Sequence, residues 1–160
     1  MTSTQLTLYK VLLFLVCLAI PWTSALAQSD EAYIQYRQKV MKSLGTHISA
    51  IGDIVKHKLP HQKDIATHGK AMQLASTLIE SAYKKEITAG KTDAKPEIWQ
   101  EWDKYIAAAK KLEDESRKLA EVAESGDMAA IKAMVKQVGE SCGGCHQPYR
   151  KSKEESYKQR

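Results

Sequence analysis

The sequence is poor in phenylalanine, which commonly fills the core of a small protein, and in cysteine, which can cross-link it. Phenylalanine occurs once in 160 residues, at Phe14, and cysteine occurs three times. No stretch alternates apolar and polar residues as a half-buried strand does. The formal net charge of +5 is spread along the chain, without the clustered arginines and aromatics of a nucleic-acid reader. These absences disfavour β folds and nucleic-acid partners. The sequence also lacks an activated nucleophile or a carboxylate pair that would indicate an enzyme.

The only long apolar run lies at the amino terminus and has the parts of a secretory signal peptide. Lys10 supplies a positive charge, residues 11–20 are uninterruptedly apolar, and Ala25 and Ala27 occupy the two positions that a signal peptidase reads. The run is shorter than the roughly 20 residues of a membrane-spanning helix. We therefore expect residues 1–27 to be cleaved and the protein to reach the periplasm. An uncleaved membrane anchor is the alternative.

Cleavage would remove Cys17 and leave two thiols, Cys142 and Cys145, in a single mature domain at residues 28–160. No segment of this domain is apolar enough to cross a membrane. Two cysteines three residues apart cannot staple distant parts of a fold. Together with His146 they also supply too few ligands for a tetrahedral zinc site.

Three stretches carry apolar residues at steps of three and four, the pattern of helices packed in a bundle. The first is predicted over residues 30–58, with Ser29 or Asp30 as its cap and Pro60 beyond its end. The second is predicted over residues 61–87, and the third begins at Pro96. The inner face of the first helix comprises Ile34, Met41, Leu44, Ile48, Ile51 and Val55. That of the second comprises Ile65, Met72, Ala75, Leu78, Ile79 and Ala82. That of the third comprises Ile98, Trp99, Trp102, Tyr105, Ala109, Leu112 and Leu119.

A fourth helix follows Ser125-Gly126, with Asp127 as its N-cap. Its inner face repeats the same spacing and places both cysteines beside the core valines. The residues on that face are Ile131, Val135, Val138, Cys142, Cys145 and Tyr149. Four amphipathic helices with short connections predict an all-α, antiparallel up-down-up-down four-helix bundle.

The two thiols and the following imidazole indicate covalent attachment of a c-type haem in an exported protein. Cys142 and Cys145 would each form a thioether, and His146 would supply an axial nitrogen to iron. Gly143 and Gly144 keep side chains away from the approaching macrocycle. A thioredoxin-like thiol pair has the same spacing, but it belongs in a strand-to-helix context that this chain lacks.

The chain resembles the class II cytochromes c, the family of cytochrome c prime and its low-spin relatives. The resemblance spans residues 28–160. It rests on the late haem motif at residues 142–146, followed by Tyr-Arg-Lys at 149–151. It also rests on Tyr-Arg-Gln-Lys-Val-Met at residues 36–41 and on Lys-Pro-Glu-Ile-Trp at residues 95–99.

The resemblance implies a bundle with one covalently attached haem c at one end and His146 as the proximal iron ligand. Met41 matches the family's distal position, where methionine binds iron in low-spin members and only packs in others. Arg37, one turn earlier, would pair with a haem propionate, and Gln38 would donate a further hydrogen bond. A solvated surface charge is the alternative for Arg37.

We expect the protein to carry single electrons between redox partner proteins, with a methionine and histidine pair on iron. The alternative is a five-coordinate haem that binds nitric oxide or carbon monoxide in an apolar distal pocket. The sequence leaves the oligomeric state open between a monomer and a homodimer; related bundles often dimerise through their first two helices. The basic tail, residues 150–160, is interpreted as solvated, with docking to an acidic partner as the alternative.

Four further histidines are interpreted as surface residues without a functional role. His61 and His68 are seven residues apart, and two ligands on one helix face make a weak metal site. His47 lies about 240° round the helix from Met41, since successive residues are about 100° apart, so the two cannot face one iron.

Overall fold

The computed structural model of the protein describes residues 29–159; the predicted signal peptide lies outside them. Within that range the only β pairing is a single bridge between Ala94 and Arg150, which confirms the all-α class. No helix in the same range is both long and apolar enough to span a membrane. The elements are α1 (Asp30–His57), α2 (Asp64–Ser76), α3 (Leu78–Tyr83), α4 (Glu97–Gln100), α5 (Trp102–Glu124), α6 (Met128–Tyr149) and the 3₁₀-helix Tyr157–Gln159.

Helix α1 matches its predicted boundaries within one residue. The hydroxyl of Ser29, the N-cap, accepts a hydrogen bond from the amide of Ala32 at 3.3 Å. The helix ends at His57, and Lys58 adopts a left-handed conformation with φ of 53° two residues before Pro60. The predicted inner face is confirmed, with Ile34, Leu44 and Ile51 buried and Met41, Ile48 and Val55 packed against the core.

The second segment differs from the single helix predicted over residues 61–87. It is interrupted at Thr77 and its last helix ends at Tyr83. The hydroxyl of Thr77 donates to the carbonyl of Leu74 at 2.7 Å, and such bonds compete with the helical ladder. The inward placement predicted for Leu78 is wrong, because its side chain is 43% exposed. The other predicted positions hold, with Ile65, Met72, Ile79 and Ala82 buried and Ala75 packed against them.

The third segment is also divided, without losing its inner face. Pro96 is the N-cap of the one-turn helix α4, and Glu101 separates α4 from α5 with an irregular backbone conformation. The hydrophobic phase continues across this break. The buried residues are Ile98, Tyr105, Ala109, Leu112 and Leu119, with Trp99 and Trp102 half-buried.

Helix α6 begins where its cap predicts. The carboxylate of Asp127 accepts hydrogen bonds from the amides of Ala129 and Ala130, at 2.9 and 3.3 Å. Gly126, with φ of +73°, makes the turn out of α5. The predicted inner face is confirmed, with Ile131, Val138 and Tyr149 buried and Val135, Cys142 and Cys145 packed against the core.

The long segments form a closed four-helix bundle in which α1 packs on α2, α2 on α5, α5 on α6 and α6 on α1. Successive helices run antiparallel, as short connections require. Helices α2 and α5 approach closely at Gly69, where a Cβ would lie 3.0 Å from the Cβ of Ala120. This topology brings the first half of α1, the start of α5 and the end of α6 to the same end of the bundle.

Candidate haem site

A cavity of about 610 Å³ opens at the end of the bundle where α1 begins and α6 ends. Side chains from α1, α3, α4, α5, α6 and the carboxyl-terminal tail line it. Ile34, Ile98, Tyr83 and Tyr105 make its walls largely apolar. This size and lining are typical of a cofactor pocket.

The two predicted attachment residues lie on the inner face of α6. Cys142 and Cys145 are free, half-buried thiols that pack against the hydrophobic core. Burial raises the pKa of the Cys142 thiol and raises the pKa of Cys145 to about 11, so both are protonated at neutral pH. Cys145 lines the cavity, whereas Cys142, one helical turn earlier, is not among the lining residues.

His146 stands between two cavities. Its imidazole borders the cavity described above and a second one of about 730 Å³. Partial desolvation lowers the pKa of His146, and the positive charge of Arg150 lowers it further. A lowered pKa favours the neutral imidazole, the form that binds metal.

Met41 reaches the same cavity as His146 from the opposite element, α1. Its half-buried side chain packs against the core and lines the cavity. Gly45, one turn further along α1, also lines the cavity, and a Cβ built on it would meet no atom within 4 Å. The fold therefore brings a soft thioether and an imidazole together beside open space.

Arg37 has partners that the sequence did not predict. Its side chain is 2% exposed, so the alternative of a solvated surface charge is wrong. The guanidinium also lies over the ring of Tyr83, 5.0 Å from the ring centroid. Its three nitrogens donate to backbone carbonyls at and beyond the end of α3, those of Ala82, Lys85 and Ile87.

These bonds give Arg37 a structural role, because it satisfies carbonyls that the end of α3 leaves without helical partners. Burial lowers its pKa, although an arginine stays charged in proteins. A guanidinium has five N–H groups, and three are used here. Pairing with a haem propionate stays a prediction that rests on the remaining two.

Gln38 ties α1 to the segments around the cavity mouth. Its side-chain amide donates to the carbonyl of Lys91 at 2.8 Å and to the hydroxyl of Tyr157 at 3.2 Å. It lines the cavity. Its predicted hydrogen bond to a haem propionate stays a prediction.

The carboxyl-terminal tail is anchored to the bundle, which the sequence analysis did not predict, although most of its side chains are exposed. The carboxylate of Asp93 accepts from the hydroxyl of Ser156 at 3.0 Å and from the amide of Tyr157 at 3.1 Å. The amide of Lys151 donates to the carbonyl of Asp93 at 2.8 Å. As a result, Tyr157 and Lys158 line the cavity.

Three tyrosines that the sequence analysis did not assign to the site form an aromatic wall. The ring of Tyr105 lies 5.4 Å from that of Tyr83 and 5.3 Å from that of Tyr149, centroid to centroid. Burial raises the pKa of Tyr105 strongly. Its buried hydroxyl has no hydrogen-bond partner among the described residues. An orphaned hydroxyl at a cavity wall is expected of a site that a bound group completes.

The second cavity is strongly basic. Gly143 and His146 border it, and no acidic side chain is among the described residues that line it. Carboxylates, such as the propionates of a haem, would complement this basic lining electrostatically. Its basic lining residues are Lys95, Arg150, Lys151, Lys153 and Lys158.

The residues present fit a covalently attached haem. Two thiols one turn apart precede an imidazole, an apolar cavity accepts a large planar group, and basic side chains line the neighbouring cavity. A four-helix bundle with this site defines the class of helical c-type haem proteins.

Comparison with known proteins supports that class and identifies the family. A family model described as Cytochrome C' matches residues 32–150. Cytochrome c' of Pararhodospirillum photometricum is 36% identical over 124 residues, which cover 76% of this chain and 98% of that protein. The chain therefore belongs to the cytochrome c' family, as its resemblance to the class II cytochromes c predicts.

Solved structures agree with the fold. A nitric oxide complex of a mutant cytochrome c prime from Alcaligenes xylosoxidans has a TM-score of 0.70 and 28% identity, and the match covers 79% of this chain and 98% of that one. A carbon monoxide-bound variant of the same protein has a TM-score of 0.70 and 28% identity, with coverages of 78% and 98%. The predicted four-helix bundle is confirmed.

Proposed function

We propose that this c-type haem protein carries single electrons, with haem bound covalently to Cys142 and Cys145 and iron held by His146 and Met41. The observation that carries the proposal is the shared cavity of Met41 and His146, which approach it from α1 and α6. A bound haem supplies an iron that changes its oxidation state by one electron, and a methionine and histidine pair raises its potential.

The protein's own residues serve this function in distinct ways. The two thiols would hold the edge of the cofactor on α6, and Ile34, Ile98 and Tyr105 would limit the access of water to it. Burial is one of the means by which a protein tunes a haem potential. The covalent bonds and the buried walls together would favour a haem site whose structure changes little when an electron is gained or lost.

The basic lining of the second cavity supports electron transfer to acidic redox partners. Five cationic side chains line the second cavity, beside His146. A cluster of one charge sign steers a partner of opposite sign during encounter. We propose that electrons enter and leave on this side, at a rate that falls as ionic strength rises.

Gas binding is the second candidate function. The structural relatives include a nitric oxide complex and a carbon monoxide-bound protein. If Met41 only packs against the core, the same cavity would leave the distal position of iron to a diatomic ligand. Coordination by Met41 therefore separates the two functions.

Replacement of Met41 by alanine tests the electron-carrier proposal. A ligating thioether competes with an added gas, so its removal is expected to strengthen carbon monoxide binding by about tenfold or more. The spectrum of the reduced protein should change in the same variant, from six-coordinate to five-coordinate. A carbon monoxide titration followed by visible absorbance measures both effects.

Met134→Ala is the matched control, because Met134 packs against the core from α6 but is not among the residues that line the cavity. It should leave the spectrum and the carbon monoxide affinity unchanged. Equal affinities of the wild type and the Met41→Ala variant would exclude Met41 as a ligand and favour gas binding.

Export to the periplasm, with removal of residues 1–27, belongs to the same proposal, because the Cys-x-x-Cys-His motif indicates covalent haem attachment when the protein is exported. The mass of the protein recovered from the periplasm is expected to match a chain that begins at Gln28 and carries one covalently bound haem. A mass that includes Met1 or Thr2 would contradict cleavage. The homodimer suggested by the family resemblance stays a prediction.

A further inference from the structure

Two histidines from different helices meet on the side of the bundle. His47 of α1 and His68 of α2 place their Nδ1 atoms 2.9 Å apart. The ring centroids are 5.2 Å apart and the ring planes are inclined by 54°. Both side chains are half-buried, and the contact between them is one that the sequence analysis did not predict.

We propose that this imidazole pair binds a divalent transition-metal ion, with Zn²⁺ and Cu²⁺ as the ions its chemistry suits. Metal–nitrogen bonds are about 2.0–2.1 Å long. Two nitrogens 2.9 Å apart would therefore subtend an angle of about 90° at the metal, and a small opening of the pair gives the tetrahedral angle. The packing of α1 on α2 places both donors at chelating distance before the ion arrives.

The same contact also suits an N–H···N hydrogen bond, in which one ring donates and the other accepts. Metal binding requires the Nδ1 lone pairs of both neutral rings. The donor ring would move its proton from Nδ1 to Nε2 through solvent, without a net change in charge. Both rings are partly exposed, which allows this exchange and gives the ion access.

The site is separate from the haem cavity. Neither His47 nor His68 is among the residues that line that cavity. His47 lies six residues after Met41, about 9 Å further along the helix, on a different face. The proposal therefore does not depend on the function assigned to the haem.

The described residues contain no cluster of three or more histidine, cysteine or acidic side chains that could hold a metal. Water would therefore complete the coordination of an ion at this pair. Such an open site binds its ion reversibly and would join α1 to α2, which stabilises the folded state as ion concentration rises.

Zinc titration of the haem-loaded protein tests the proposal, because its thiols are then occupied by haem. We expect calorimetry to detect the binding of one Zn²⁺ ion per chain, and we expect this binding to require both imidazole rings. Loss of an outer-shell partner costs about tenfold to a hundredfold in metal affinity, and His47→Gln or His68→Gln, which removes a direct ligand, should cost at least as much. Unfolding of the wild type should shift to higher temperature with added Zn²⁺, unlike that of the variants.

The matched control is His57→Gln combined with His61→Gln, which removes two exposed imidazoles and should leave zinc affinity unchanged. Equal zinc affinity in the wild type and the His47→Gln variant, or no binding by the wild type, would overturn the proposal. If a variant fails to fold, Cu²⁺ bound to the wild type provides a second test. Its electron paramagnetic resonance should show two imidazole nitrogens, and none or one would contradict the site.

Discussion

We expect the double variant Cys142→Ser, Cys145→Ser to contain no covalently bound haem. Each thiol is the only group at its position able to form a thioether, and serine oxygen does not replace sulfur in that bond. The structure places both thiols on the inner face of α6, and the described chain contains no other cysteine. The intact mass of the denatured protein should equal that of the polypeptide alone, whereas the wild type should carry one haem.

Cys17→Ser is the control for the cysteine variants. Cys17 lies in the predicted signal peptide, so the mature protein should carry its haem unchanged. Each single variant, Cys142→Ser or Cys145→Ser, should retain one thioether and therefore a covalent haem. A haem-sized mass increment on the denatured double variant would show that attachment occurs elsewhere.

Replacing Arg37 with leucine is expected to lower the free energy of unfolding by about 3–5 kcal/mol, because buried carbonyls lose charge-assisted hydrogen bonds. The guanidinium donates to three backbone carbonyls and is 2% exposed. A loss of this size is a large fraction of the roughly 5–15 kcal/mol that stabilise a typical domain. Urea unfolding of the haem-loaded protein, followed by helical circular dichroism, measures it.

Arg117→Leu is the matched control for Arg37. Arg117 forms an exposed ion pair with Glu121 at 2.7 Å, and such pairs contribute little to stability. Its loss should change the free energy of unfolding by about 0.5 kcal/mol or less. Equal stabilities of the two leucine variants would contradict the structural role assigned to Arg37.

The features that sequence predicts well are set by local physics. A helical face with steps of three and four residues buries the same side chains in any bundle, which is why Val138, Cys142 and Cys145 are confirmed on one face. Caps are equally local, since Asp127 bonds amides two and three residues away. The haem motif is contiguous, so its chemistry is readable before any fold is known.

The features that sequence missed depend on tertiary contacts. Arg37 lies on a helix face, and only the fold reveals the carbonyls after α3 that it satisfies. The tail docks on Asp93, and its basic composition does not indicate that anchor. His47 and His68 each resemble surface residues, and their pairing requires α1 and α2 to pack in register. Leu78 fits the periodicity of its segment, but the helix is interrupted at Thr77, just before it, and the side chain of Leu78 is exposed.

The visible spectrum of the reduced protein tests the central claim most directly. Coordination of iron by both His146 and Met41 predicts a low-spin, six-coordinate spectrum in the haem-loaded wild type. The shared cavity that receives both side chains is the basis for this expectation. A high-spin, five-coordinate spectrum would contradict coordination by Met41 and would leave gas binding as the favoured function.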